Sequence, residues 1–162
     1  MKLIFKKGNL VDTGYNDFLK TLDMNNKIVF TNGVFDLLHA GHIRYLKNAS
    51  DNGDFLIVGV NSNVSVNKLN KVGKRPIIDE LERAEILSCL FFVDIVIIFD
   101  ETTPAKLIKS IKPNIYVKGG DYEIDNLPET KFVESYGGKV IKGIFVEGKS
   151  STVIISKINS TI

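Results

Sequence analysis

The sequence predicts an α/β fold: one doubly wound, Rossmann-like parallel sheet of about five strands, with helices on both faces. Two observations predict it. After residue 26, apolar β-branched runs alternate with helix-like patterns. The apolar runs are mostly continuous rather than alternating, as expected for strands covered on both faces. Strand–helix alternation, in turn, implies parallel strands joined by right-handed crossovers. The spatial order expected for such a sheet is 3-2-1-4-5.

The elements follow in order. Residues 1–26 form an N-terminal extension packed on the sheet, with a short helix around Asp17 to Leu22. Lys27–Thr31 is β-branched and ends at the breaker Asn32-Gly33, so it reads as the first strand. His42 to Asn52 carries Ile43, Leu46 and Ala49 at helical spacing and stops at Gly53. Phe55 to Val60 is the second strand. The segment after it holds Lys68, Lys71, Lys74 and Arg75 and reads as a basic loop. Asp79 to Phe91 is a helix with Leu81, Ala84, Ile86, Leu87 and Leu90 on its apolar face. Cys89 lies among these and is assigned to the core, where free cysteines usually sit. Ile95 to Phe99 is the third strand. Thr103-Pro104 starts a helix that stops before Pro113. Ile115 to Lys118 is the fourth strand, Pro128 to Tyr136 a helix, Lys139 to Ile144 the fifth strand, and Thr152 to Asn159 a closing helix.

Bulk composition narrows the class of function. The 162 residues suit a single domain, 1–162, which buries roughly 70% of its unfolded surface. Lys and Arg total 21 against 19 Asp and Glu, a net charge of +2. That balance argues against a nucleic-acid partner, which calls for a strongly basic face. The single cysteine fits a reducing compartment. The N-terminus lacks the apolar core of a signal peptide. The most apolar stretch, Ile86 to Phe99, is too short to span a bilayer. The expectation is a cytoplasmic protein with no membrane partner.

The chemistry concentrates after the first strand. In an open α/β sheet, ligands sit beyond the carboxyl ends of the strands, where strand order reverses. Thr31-Asn32-Gly33-Val34-Phe35-Asp36 leads from that end into His39-Ala40-Gly41-His42. Asn32-Gly33 allows a sharp turn. Gly41 lets backbone N–H groups approach a bulky anion, and the helix start at His42 favours negative charge. The chain has two histidines, and both are here, three residues apart. Both rings can address one phosphate, although packing or capping would also account for a single histidine. The dinucleotide fingerprint Gly-x-Gly-x-x-Gly and the Gly-x-x-x-x-Gly-Lys-Ser/Thr loop are both absent. A dehydrogenase or P-loop reading is therefore weak.

These motifs resemble the cytidylyltransferase family of the nucleotidyltransferase superfamily. Lys27 to Asn159 further resembles the adenylyltransferase domain of heptose-phosphate enzymes. Val60-Asn61-Ser62, Gly73-Lys74-Arg75-Pro76, Glu82-Arg83, Val117-Lys118-Gly119-Gly120-Asp121-Tyr122 and Gly148-Lys149-Ser150-Ser151-Thr152 carry the narrower match. The resemblance implies an ATP site built from Thr31 to Phe35, Gly41, His42, Lys118, Gly119, Asp121 and Ser150 to Thr152. It implies that Lys118 to Asp121 surrounds base and ribose, and that Ser151 and Thr152 contact the β- and γ-phosphates. His39, His42, Lys68 and Thr152 would be catalytic, with Lys68 the loop lysine that reaches the phosphates. Asp36, Lys68 and Arg83 would face the acceptor, Arg83 either orienting a phosphate or supporting the loop. Glu147-Gly148-Lys149 stands where many CTP-using relatives carry an Arg.

The expected reaction is AMP transfer from ATP to a sugar 1-phosphate, D-glycero-β-D-manno-heptose 1-phosphate, giving ADP-heptose and pyrophosphate. Mg²⁺ is expected, held mainly by substrate phosphates. A homodimer is expected, with a separate sugar kinase as pathway neighbour. The competing readings are a cytidylyltransferase for glycerol phosphate or another small phosphate, a non-catalytic nucleotide-binding subunit, and a purely structural α/β domain.

Overall fold

The computed structural model describes residues 3–11, 14–23, 25–69, 75–119, 124 and 127–161. Within them lie seven strands: β1 Ile4–Lys6, β2 Asn9–Leu10, β3 Ile28–Gly33, β4 Phe55–Asn61, β5 Ile95–Phe99, β6 Ile115–Lys118 and β7 Lys139–Lys142. The helices are α1 Tyr15–Lys20, α2 Ala40–Ser50, α3 Asn63–Lys68, α4 Glu80–Ser88, α5 Ala105–Ile111, α6 Pro128–Ser135 and α7 Ser151–Thr161.

All seven strands form one sheet in the order β2-β1-β5-β4-β3-β6-β7. The five parallel strands β5-β4-β3-β6-β7 keep the expected 3-2-1-4-5 order. The expected count of about five is corrected to seven. The sheet is mixed, because β1 pairs antiparallel with β5 and β2 pairs antiparallel with β1. This hairpin turns at Lys7 (φ 48°) and Gly8 (φ 79°), two positive-φ residues that suit a tight hairpin. Strands of three and two residues are too short to show a period in the sequence.

Fully buried positions explain the continuous apolar runs. Val29, Val58 and Val60 face α2 and α4 through Leu46, Ala49, Ala84 and Leu87. Phe30, Ile57 and Ile97 face the other layer through Leu107, Ile108 and Val133. Each fully buried side chain of this size contributes roughly 1.5–3 kcal/mol. The helix stops follow local chemistry: Lys112 takes a left-handed φ of 48° before Pro113, and Gly137 (φ 88°) ends α6.

Two smaller corrections concern single elements. The basic loop begins with a helix, α3, whose N-cap Ser62 accepts a hydrogen bond from the Ser65 N–H at 3.1 Å. The cap residue was the available signal, but one turn and a half of helix has no readable period. Cys89 is exposed rather than core. It is the C-cap of α4, one step past the buried pair Leu87 and Ser88.

The topology sets the site. Chain order runs outward from β3 to β4 and β5 on one side and through β6 to β7 on the other. The C-terminal ends of β3 and β6 therefore border a crevice at the switch point. Tyr45 of α2 ties these strands together. Its hydroxyl meets Thr31 Oγ1 at 2.6 Å and donates to the Val117 carbonyl at 3.1 Å. Burial pushes the Tyr45 hydroxyl up to about 12, so it stays protonated as a donor.

Candidate active site

The crevice holds a cavity of about 640 Å³. One wall comes from the β3–α2 connection: Asn32, Gly33, Val34, Phe35, His39, Gly41 and His42. Lys118 and Gly119 at the end of β6, with Glu129 of α6, form the opposite wall. Lys149, Ser150 and Ser151 close it at the start of α7. Three segments far apart in sequence thus meet around one space.

The two histidines are the densest chemistry in it. His39 is the N-cap of α2, and its Nδ1 accepts from the His42 backbone N–H at 3.4 Å. The His39 and His42 rings stack with centroids 3.8 Å apart and planes 20° apart. Phe35, held at φ 50°, sets its ring edge-on to His42 at 5.3 Å. Capping is therefore real at His39, and it fixes the ring's polarity. With Nδ1 accepting, a neutral His39 carries its proton on Nε2. Burial, assisted by the Lys149 charge, lowers the His39 pKa from its ordinary value. Both effects favour the neutral ring, a hydrogen-bond donor through Nε2.

Gly41 makes the close approach possible. A Cβ on it would lie 2.9 Å from His39 Cε1 and Nδ1, and 3.0 Å from the Lys149 Cβ. The start of α2 and its dipole border the same space, which suits a phosphate.

At the far wall, Asn32 Oδ1 accepts from the Tyr116 hydroxyl at 2.8 Å and from Lys118 Nζ at 3.5 Å. Burial lowers the Lys118 pKa, and the Glu129 carboxylate partly opposes that. Gly120, Asp121 and Tyr122 lie outside the described residues, as do Lys71 and Lys74.

Not every expected residue reaches the cavity wall. Thr31 is buried behind it against Tyr45. Lys68 ends α3 with its side chain exposed, and its neighbour Leu69 meets the wall instead. Asp36 is 5% exposed, and both its oxygens are engaged. Oδ1 accepts from the Ile77 and Ile78 N–H groups at 2.8 and 2.9 Å, and Oδ2 accepts from Arg75 Nη1 at 2.8 Å. Arg83 is only 2% exposed. Its guanidinium donates to the carbonyls of Ile78, Val34 and Asn61 and to Asn63 Oδ1. These bonds tie together the backbone at Val34, Asn61 and Ile78. Thr152 is exposed and does not line the cavity, and its Oγ1 accepts from Arg75 Nη2 at 3.3 Å.

Sequence reasoning missed Tyr45, Glu129 and the Thr102–Pro104 turn, which also border or support the cavity. A buried tyrosine on an amphipathic helix looks like packing, so its hydroxyl had no signal. Among the described residues, no group of three or more His, Cys, Asp or Glu side chains could hold a metal ion. No helix among them is long and apolar enough to cross a membrane.

A stacked histidine pair at a helix start thus lies across a switch point from a Lys-Gly turn and beside the start of a second helix. The chain belongs to the cytidylyltransferase-like family, whose model matches residues 30–158. It is 55% identical over 132 residues to the bifunctional protein HldE of Geobacter metallireducens, a match covering 82% of this chain. It is 52% identical over 136 residues to the protein of the same name in Campylobacter curvus. The chain spans only about a quarter of the length of these relatives, 27% in each case. Among solved structures, it is similar to a lipopolysaccharide core biosynthesis protein of Thermoplasma volcanium. That match has a TM-score of 0.66 and 31% identity, and it covers 75% of this chain and 99% of the other.

Proposed function

We propose that this chain transfers AMP from ATP to D-glycero-β-D-manno-heptose 1-phosphate, giving ADP-heptose and pyrophosphate. The observation that carries the reading is the cavity's two-ended construction. Its phosphate end has the stacked His39–His42 pair and the start of α7. Its other end has Lys118, Gly119 and Glu129, groups suited to base and ribose. The similarity to HldE proteins over four fifths of the chain supports the choice of heptose and ATP.

In this mechanism a sugar-phosphate oxygen attacks the α-phosphorus in line. The bond from that phosphorus to the bridging oxygen breaks, and pyrophosphate leaves. His39 Nε2–H and His42 hold the α-phosphate and stabilise charge on the departing oxygens. Asn32 to Phe35, Gly41, Lys118, Gly119 and Ser150 to Thr152 hold the nucleotide. Asp36 and Arg83 act on the acceptor side by fixing the loop that carries it, and Lys68 reaches the phosphates from α3 only if that segment moves inward. The described residues offer no carboxylate cage, and the Asp36 oxygens are taken. This donor set fits Mg²⁺ held by substrate phosphates and water, where it would offset phosphate charge. A kinase reaction would supply the sugar 1-phosphate. We further propose a cytoplasmic homodimer, with Phe91, 88% exposed after α4, as a candidate contact residue.

A matrix of nucleoside triphosphates and sugar phosphates, assayed for pyrophosphate release, tests the reading. Signal with ATP plus heptose 1-phosphate is expected. Preference for CTP with glycerol phosphate would replace it with the cytidylyl reading. Tight nucleotide binding without release in any pair would point to a non-catalytic binder.

Two further results are expected. Gly41→Ala displaces the His39 ring, so turnover falls at least tenfold. Melting temperature does not fall in step, because alanine in α2 offsets the crowding by roughly 0.5–1 kcal/mol. Steady-state kinetics beside thermal melting checks this. Lys149→Met removes one of the two causes that depress His39, so its pKa rises toward, but not to, the ordinary value, since burial remains. Activity that needs neutral His39 is lost as pH falls through that pKa. The acid limb of the kcat profile therefore moves to higher pH in Lys149→Met and stays put in Lys149→Arg.

A further inference from the structure

Arg75 sits in the sequence among surface-type lysines, yet its side chain is only 12% exposed. It spans two segments that no backbone pairing joins. Nη1 donates to Asp36 Oδ2 at 2.8 Å, and Nη2 donates to Thr152 Oγ1 at 3.3 Å. Asp36 is a firm anchor. Burial alone would raise its pKa, but the Ile78, Arg75 and Ile77 donors and the Arg75 charge hold it below the usual carboxylate range. Its other oxygen is filled by backbone N–H groups, so what it can do is aim Arg75.

The far end of this bridge needs fixing. Helix α7 has no buried residue. Few contacts orient it, and at its start they are polar. The Ser151 hydroxyl bonds to the Leu37 carbonyl at 3.2 Å, and Ser150 Oγ accepts from the Val153 N–H at 3.2 Å. The two hydroxyls of the Ser151-Thr152 pair are therefore not equivalent. A carbonyl can only accept, so Ser151 must donate its proton to Leu37. A guanidinium can only donate, so Thr152 accepts from Arg75 and keeps its own O–H for another acceptor.

We propose that Arg75 is a positioning residue for the transfer reaction, fixing Thr152 as the hydroxyl that donates to the leaving phosphates while Ser151 pins α7 to the core. The proposal rests on the nucleotidyl-transfer reading above and adds a division of labour within the pair. A lysine would keep the charge but lose the planar fork that reaches two acceptors in a fixed geometry.

A double-mutant cycle tests it, read as kcat with ATP and heptose 1-phosphate at saturation. Wild-type turnover in that assay establishes the underlying reaction first, so the cycle speaks only of Arg75. Arg75→Met and Thr152→Val should each lower kcat about tenfold, the size of one hydrogen bond lost in the transition state. The KM for ATP should change about twofold at most. The double variant should be no slower than Thr152→Val alone, because the two act as one unit. Thr152→Ser should restore most of the rate. If Arg75→Met does not fold, Arg75→Lys takes its place in the cycle, with the same non-additivity expected. Multiplied losses in the double variant would overturn the proposal, as would unchanged kcat in the Arg75 variant.

Discussion

His42→Ala lowers turnover about 10²–10³-fold, the usual loss when one preorganised charge-stabilising group is removed. The ring earns this effect by position. It lies in the first turn of α2, stacked on His39 at 3.8 Å and buttressed edge-on by Phe35. It borders the cavity, where it meets phosphate without reorganising. Stability should change little, by about 1 kcal/mol, because the ring is half-buried and alanine is a good helix former. Rapid-quench turnover beside urea denaturation separates the two effects. A variant that unfolds easily but turns over normally would mean that His42 is packing and nothing more.

Arg83→Met should do the reverse, with stability as the main loss. The guanidinium is 2% exposed and satisfies three backbone carbonyls, those of Val34, Asn61 and Ile78, together with Asn63 Oδ1. Methionine fills much of the volume but leaves those acceptors without a donor. Leaving a buried acceptor without its donor costs about 1–3 kcal/mol. This would show as a fall in urea midpoint at unchanged slope. Val34 belongs to the cavity wall and Ile78 to the segment that Asp36 holds, so kcat should fall as well. A variant of wild-type stability with a raised KM for the sugar phosphate would show that Arg83 contacts substrate directly.

The two predictions show what was legible in the sequence. The His39-x-Gly41-His42 turn was readable because strand, breaker and helix start follow one another locally. The five parallel strands were readable because their apolar runs are continuous and buried. The β1–β2 hairpin was not, since five residues of strand carry no period and β1 joins the sheet through its pairing with the distant β5. The roles of charged residues were hardest to read. Arg75, Arg83, Asp36 and Lys68 are alike in sequence as charged residues near a loop. Burial and partners separate them, and both depend on how α3, α4 and α7 pack. Tyr45 likewise has the spacing of a core residue, and only the distance to Thr31 reveals its hydroxyl as a tie across the switch point.

The central claim, that this cavity moves a nucleotidyl group, is tested most directly by following the α-phosphorus. ATP labelled at the α-position is incubated with the protein and heptose 1-phosphate, and the products are separated. Label is expected in the sugar nucleotide in step with pyrophosphate release. Label remaining in ATP, or in ADP released beside a phosphorylated sugar, would contradict it.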